Sequence, residues 1–455
     1  MKTILKFASW FVLVVVMLIS VLMLFEPTLM SVENAMRVYG IAALAILIAL
    51  CVTERILILG PFFIVVIYAV VSSFGYDILV LFYGDDMYEQ IRSIRHAYTE
   101  YFNQANALCL IGLFSMLVGS VSFCSKPSFA NQSEFFSYAE KRAYVRVSLL
   151  ILWIFLFYML VSLFTGTLRL TNYAEVKEWM SLQPFFMYAL RFVWIAIPTY
   201  IFFSDRVIKW EFVVPLALIS AILIFSGNRN EAMYPLAMGV GVYVWKRIRV
   251  HGGSIPVWIV PASLFVVFVL NPLISSVRNT GLDLETLLGG SFGFKEALLE
   301  LGQQINPFSI SLYAMDKCGY EFQFGMTILA PCMAILSLGM LLSTSAYLSS
   351  NMNPIFVLER LGHSGRGYNI FAEMYVNFGV LASSLALFGM GMISSRCENG
   401  RKLDRFTLLY FQLSPVIMLW VRNTFMFNIT IVIFALIINI VIYILFNNKH
   451  KLMNI

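Results

Sequence analysis

The chain has 455 residues, of which 60% are hydrophobic and 12% charged, and it carries a formal net charge of +6. Soluble domains hold roughly 25% charged residues, so this balance excludes a water-soluble globular enzyme and points to a chain that lives in a bilayer. The six cysteines form no CxxC pair and no Cys/His zinc spacing, and no P-loop, haem or dinucleotide fingerprint occurs, so neither a metal nor a cofactor is expected.

Apolar runs able to form spans fall at 4–24, 38–52, 56–74, 105–124, 147–165, 185–203, 212–226, 232–245, 255–270, 370–394, 406–421 and 424–446. Most approach the ~20 apolar residues a helix needs to cross hydrocarbon, which makes an all-α polytopic integral membrane protein of about twelve transmembrane helices. The first run follows Lys2 and Lys6 like a secretory signal. It is too long and lacks a small-residue cleavage pattern, so a retained helix is expected. The stretch 75–102 mixes Asp77, Asp85, Asp86 and Glu89 with Arg92 and Arg95. Without the ligand spacing of a calcium loop, it reads as a solvated outer helix.

Arg191 lies about six residues into its span, where a central arginine costs on the order of 2.5–3.5 kcal/mol on insertion scales, so it is expected to face an interior polar cavity. The next polar island is SGNRNE, with Asn228, Arg229, Asn230 and Glu231 at a span boundary. Asn228 or Asn230 can cap the following helix, and Glu231 suits its positive end. Arg278 follows the ninth run in NPLISSVRNTG.

Residues 326–349 are apolar enough to span, but one crossing there would place the basic loop 396–405 outside. The segment is therefore read as re-entrant or interfacial, with Pro331 and Gly339 able to break it. The expected organisation is 1–270 for helices one to nine, 271–369 for an extracytoplasmic loop region, and 370–455 for helices ten to twelve and a cytoplasmic tail. Cys318 and Cys332 fall on the outer side and are expected as free thiols.

The run GHSGRGYNIFAEMYVNFG, 362–379, sets polar groups at the mouth of a hydrophobic span. Its glycines free the backbone for close approach, while His363, Arg366 and Glu373 supply a candidate base, a fixed cation and a carboxylate. Glu373 sits some three residues into the apolar helix, where an unpaired carboxylate is costly, so Arg366 or Arg422 is its expected partner. Tyr368 and the aromatic residues that follow can stack on sugar rings, and Asn369 can orient hydroxyls. Arg422 lies in VRNT between the last two spans.

With both termini in the cytoplasm, Lys126, Lys141, Arg142 and Arg146, then Lys246, Arg247 and Arg249, then Arg396, Arg401, Lys402 and Arg405, and finally Lys449 and Lys451 all fall inside. This is the positive-inside pattern. The same topology puts Arg229, Arg278, Arg366 and Arg422 on the outer side. Guanidinium groups bind phosphate oxygens in pairs, so the set suits a pyrophosphate or an acidic sugar. Each arginine alone is equally consistent with snorkelling to lipid headgroups.

Three motifs together, GNRNE at a span boundary, an arginine shortly after the next long span, and G-x-G-Y-N-x-x-A-E-x-Y-x-N-F-G opening a late helix, resemble the Wzy-type O-antigen polymerases. The resemblance covers about residues 220–430; the first two hundred match only as a string of hydrophobic helices. Arg278 followed by ten residues and Gly289 also fits the R-x10-G pattern of such enzymes, without a second copy at Arg360 or Arg366. The resemblance implies a GT-C-like membrane glycosyltransferase of the bacterial inner membrane, with its site facing the periplasm. It would join repeat units carried on undecaprenyl pyrophosphate, alongside a flippase and a chain-length regulator. Its partners would be that lipid-linked oligosaccharide and membrane lipid, with no nucleic acid.

On this reading Glu373, His363 and Arg278 are the catalytic candidates. Arg191, Asn228, Arg229, Asn230, Glu231, Arg366, Tyr368, Asn369 and Arg422 are the substrate-binding candidates. An O-antigen ligase is the alternative with the same donor and another acceptor. A lipid-linked-oligosaccharide flippase or other transporter predicts mid-membrane charges and repeated halves, and no internal repeat is evident.

Overall fold

The computed structural model describes residues 2–95, 99–122, 135–168, 179, 184–204, 208–226, 229–259, 261, 293–335, 354–363, 367–400, 403–425 and 429–452, and every regular element among them is helical. Among the described residues, seven helices are long and apolar enough to cross a membrane: Lys2–Phe25 (α1), Val32–Val52 (α2), Pro61–Tyr83 (α3), Phe102–Ser122, Tyr138–Phe164, Ile370–Asn399 and Ile429–Phe446. The protein is a multi-pass membrane protein. Shorter apolar helices cover Pro184–Phe203, Trp210–Phe225, Arg229–Trp245 and Arg405–Trp420. Helices thus occupy every expected span except 255–270, most of which lies outside the described residues.

The helix starts follow ordinary local chemistry. Ser137 and Glu140 form a reciprocal capping box, with the Ser137 hydroxyl accepting from the Glu140 N–H at 3.2 Å and the Glu140 carboxylate accepting from the Ser137 N–H at 2.8 Å. Such pairs satisfy two of the donors a helix leaves unpaired at its start. Arg405 then reaches the same carboxylate at 2.5 Å, tying two helix ends together.

The packing that brings the two sequence-distant halves together is between Phe102–Ser122 and Ile370–Asn399. A Cβ on Gly119 would strike the Phe388 carbonyl oxygen, and one on Gly391 would strike that of Met116. Glycine at both places lets the backbones approach closely, which is how helices associate where lipid removes the hydrophobic drive between them.

Two sequence expectations are revised. Asp77 is not in an outer loop but inside α3, fully buried, where its carboxylate accepts from the Asn106 side-chain amide at 2.8 Å. The helix continues because one hydrogen-bonded acid does not interrupt the apolar run FGYDILVLFY, and it stops only at Gly84, whose φ is +70°. The outer helix itself is Asp85–Arg95. The tenth expected span is also not one straight helix, since Gly379 adopts φ +66° and breaks it beside the NFG of the motif. The Val376 carbonyl just above the break accepts the Gln323 N–H at 2.9 Å, so the freed backbone is re-satisfied inside the protein.

Within 271–369, the described parts form helices Phe294–Gly302, Asn306–Lys317, Met326–Ile335 and Pro354–Arg360. Phe294–Gly302 packs on α3, and Asn306–Lys317 on Phe102–Ser122 and Ile370–Asn399. Met326–Ile335 carries Pro331 within it; Gly339 and the remainder of 326–349 lie outside the described residues. Cys318 and Cys332 are free thiols.

At the end of the bundle that carries the basic loops, the Glu398 carboxylate accepts from the Phe62 N–H and the Tyr410 hydroxyl, each at 2.7 Å. Trp245 donates to the Glu398 carbonyl at 2.9 Å, and Arg249 to the Asn399 side chain at 2.8 Å. This knot fixes four helices at the end of α3 that begins with Pro61.

Candidate functional site

The site is built from side chains of Pro184–Phe203, Arg229–Trp245, α3 and the turn around Arg422. From Pro184–Phe203 come Arg191 and Trp194, one turn apart; from Arg229–Trp245 come Glu231 and Tyr234, again one turn apart. Residues three apart on a helix share a face, so each stretch presents a charge and an aromatic ring together. Arg191 and Glu231 pair at 3.6 Å, and the guanidinium lies 5.1 Å from the Trp194 ring centroid. The Trp194 indole donates to the Glu231 carbonyl at 3.1 Å and meets Tyr234 edge-on at 6.1 Å. Arg191 is 6% exposed, so its charge is neutralised within the protein rather than by water. The expectation that it faces inward is met by a carboxylate.

Tyr234 carries the network onward. Its hydroxyl is 2.9 Å from that of Tyr68 on α3, and the Arg422 guanidinium faces both phenols. Tyr68 lies fifteen residues before Tyr83, the far end of α3 from the Glu398 knot, which at 1.5 Å per residue is about 22 Å along a helix of some 35 Å. The polar cluster is therefore recessed within the bundle, not a ring at the helix mouths. The physical cause is the long reach of arginine and tyrosine, which lets charge sit below the helix ends that supply it.

Arg422 is gripped from its backbone as well. Its carbonyl accepts the Tyr368 N–H at 2.9 Å, and its own N–H donates to the Leu419 carbonyl at 3.0 Å. Gly367, at φ +75°, lies so close that a Cβ there would collide with the same Arg422 carbonyl oxygen. The glycine of the late motif is thus required for close approach to a neighbouring turn.

Tyr368 and Asn369 are enclosed by protein. The Tyr368 hydroxyl is 2.9 Å from that of Ser311, while Asn369 caps the late helix by accepting from the Phe371 N–H at 2.8 Å and donates to the Gln304 carbonyl at 3.3 Å. Glu373 is fully buried, and its expected arginine partner is replaced by neutral donors. One carboxylate oxygen accepts both from the Trp420 indole at 2.7 Å and from the Phe425 N–H at 2.8 Å. Its place in the first turn after Asn369 adds the positive end of the helix dipole. Thr327 and Asn377 line the other side, joined at 2.6 Å, with Asn377 also donating to the Glu373 carbonyl at 2.7 Å.

The remaining candidates divide by position. His363 is half-buried just after Pro354–Arg360, its N–H donating to the Leu358 carbonyl at 2.9 Å. Asn230 is half-buried in the first turn of its helix. Asn228, Arg278 and Arg366, with the side chain of Arg229, lie outside the described residues. No group of three or more metal-ligating side chains occurs among the described residues.

A family model described as O-antigen polysaccharide polymerase Wzy matches residues 6–451. The chain belongs to this family. A Wzy-family assignment makes it, at family level, a polysaccharide polymerase of the membrane. The protein CapE of Staphylococcus aureus is 22% identical over 399 residues, covering 84% of this chain and 85% of its own length. No solved structure matches the chain. Family membership spans the first two hundred residues as well, where the motifs were silent. Sequence reasoning missed Tyr68, Trp194, Tyr234 and Trp420. The i,i+3 pairing of Arg191 with Trp194 and of Glu231 with Tyr234 was a usable signal; Tyr68 and Trp420 carried none, because only the fold brings them to the site.

Proposed function

We propose that this Wzy-family protein joins oligosaccharide repeat units carried on undecaprenyl pyrophosphate into O-antigen polysaccharide, at the periplasmic face of the bacterial inner membrane. The observation that carries the reading is the recessed arginine cluster, Arg191 and Arg422 with Tyr68, Tyr234 and Glu231, in a chain of this family. An acceptor sugar hydroxyl attacks the anomeric carbon of the growing chain. The new glycosidic bond forms as the bond from that carbon to the pyrophosphate oxygen breaks, and undecaprenyl pyrophosphate leaves.

The leaving group gathers negative charge. Preorganised cations in a site shielded from water stabilise such charge without reorganising at the moment of reaction. Arg422 is the described cation best placed for this, and Arg229, Arg278 and Arg366 are the further candidates from the outer segments. Arg191, already paired with Glu231, tunes the field and holds the indole and phenol in place. The acceptor's proton passes to a base, for which half-buried His363 is better placed than enclosed Glu373. Asn228, Asn230 and Asn369 order the polar surround. A twelve-helix, GT-C-like bundle, with 271–369 as the outer module, is the architecture that goes with this reading; a flippase and a chain-length regulator are the partners that go with it.

The test is the purified protein in liposomes, given a lipid-pyrophosphate repeat unit as sole substrate and read on a gel. A ladder of products that Arg422→Ala and Arg278→Ala each shorten supports the reading. Transfer only to added lipid A core would make the protein a ligase, and movement of the lipid-linked unit across the bilayer without transfer would make it a transporter.

A further inference from the structure

Glu373 is the most deeply enclosed acid near the cluster, and its contacts explain more than its charge. The single oxygen that accepts from both Trp420 and Phe425 bridges the last residue of Arg405–Trp420 to the exit of the following turn. Between those two donors lies Arg422. The rings of Trp420 and Phe425 also pack at 4.8 Å, closing the turn on its far side. Two residues before the start of the late helix, Tyr368 holds the Arg422 carbonyl. The segment 367–373 therefore grips one short turn at three backbone or side-chain points, and the guanidinium projects from it toward Tyr68 and Tyr234.

We infer that Glu373 is a positioning residue that sets the Arg422 guanidinium, and that it is not the proton acceptor of the reaction. The inference rests on the polymerase reading for what Arg422 does, but not for how Glu373 acts. Charge-assisted hydrogen bonds to a buried carboxylate are among the stronger ones, and two on one oxygen hold a turn more narrowly than packing alone. An electrostatic group must be held within about 0.5 Å of its productive place, so loosening this staple degrades the pyrophosphate site without removing any cation. A base, by contrast, must reach the acceptor hydroxyl. Glu373 is 0% exposed, with one oxygen doubly engaged.

Glu373→Gln separates the two roles, because a carboxamide oxygen still accepts from both N–H groups but cannot take up a proton at neutral pH. Two readouts are compared in full-length protein: thermal stabilisation by inorganic pyrophosphate, which needs no turnover, and the donor concentration giving half-maximal ladder formation. Glu373→Ala and Arg422→Ala are each expected to weaken pyrophosphate stabilisation and raise donor half-saturation by about tenfold, with the double variant no worse than Arg422→Ala. Glu373→Gln should stay within about threefold of the starting protein in both. Trp420→Phe, which removes one of the two donors, should fall between.

Loss of the ladder in Glu373→Gln with pyrophosphate stabilisation intact would overturn the inference and return the base role to Glu373. Effects that multiply in the double variant would overturn it as well, since they would make the two residues independent. If Glu373→Ala does not fold, the Gln and Trp420→Phe variants decide alone. A starting protein that binds pyrophosphate but forms no ladder would sink the polymerase reading. The pyrophosphate readout would still judge the staple.

Discussion

Replacing Gly367 by alanine is expected to damage the site through two separable terms. The first is backbone strain: at φ +75°, an L-residue in the left-handed region costs roughly 1–2 kcal/mol. The second is collision, because the new Cβ would overlap the Arg422 carbonyl oxygen and approach the Asn423 side-chain oxygen at 3.3 Å. Relief by separation lengthens the Tyr368 N–H bond to that carbonyl, 2.9 Å at present, at a further cost of about 0.5–1.5 kcal/mol. Together they amount to about 1.5–3.5 kcal/mol, located at the turn that carries Arg422.

Gly362 offers the control. It has φ +81° but nothing within 4 Å of an added Cβ, so Gly362→Ala carries only the strain term of roughly 1–2 kcal/mol. Unfolding midpoints in detergent and donor half-saturation would be measured for both variants. The expected result is a larger midpoint drop in Gly367→Ala, and a change in donor half-saturation confined to it. Equal behaviour of the two variants, or an unaltered ladder from Gly367→Ala, would refute the argument that close approach to the Arg422 turn is what the motif glycine provides.

Arg191→Ala leaves half-buried Glu231 without its cation and should destabilise by up to about 3–5 kcal/mol, whereas removing both charges together as Arg191→Leu with Glu231→Leu should recover much of that loss; unfolding midpoints of both variants against the starting protein check it. Gly391→Leu should push Ile370–Asn399 away from Phe102–Ser122, lowering the amount of folded protein recovered from membranes, while Gly389→Leu, whose added Cβ meets nothing within 4 Å, should not. Glu398→Ala leaves the Phe62 N–H and the Tyr410 hydroxyl without their acceptor, at about 1–3 kcal/mol each, and Tyr410→Phe in that background should restore part of the midpoint.

What the sequence determined by itself was the solvent and the chemistry. Its apolar runs predicted helices where helices occur, since a backbone in lipid must satisfy its own hydrogen bonds and span length is set by hydrocarbon thickness. The late glycine-rich motif and GNRNE marked segments that supply Glu231 and the contact of Gly367 and Tyr368 with the Arg422 turn, because glycines and charges beside a span have few uses there. Pairing was not legible. Glu373 looked as if it needed an arginine, and it is met instead by an indole and a backbone N–H some fifty residues away, donors that one-dimensional reasoning about charge does not consider. Asp77 looked solvated from its acidic neighbours, yet it stays within α3, where the Asn106 amide meets it. Depth was also decided only by the tertiary structure. Arg422 leaves a turn at a helix end, but close glycine contacts between helices and the tyrosines of α3 and Arg229–Trp245 draw its charge into the bundle, where a low dielectric makes its field stronger.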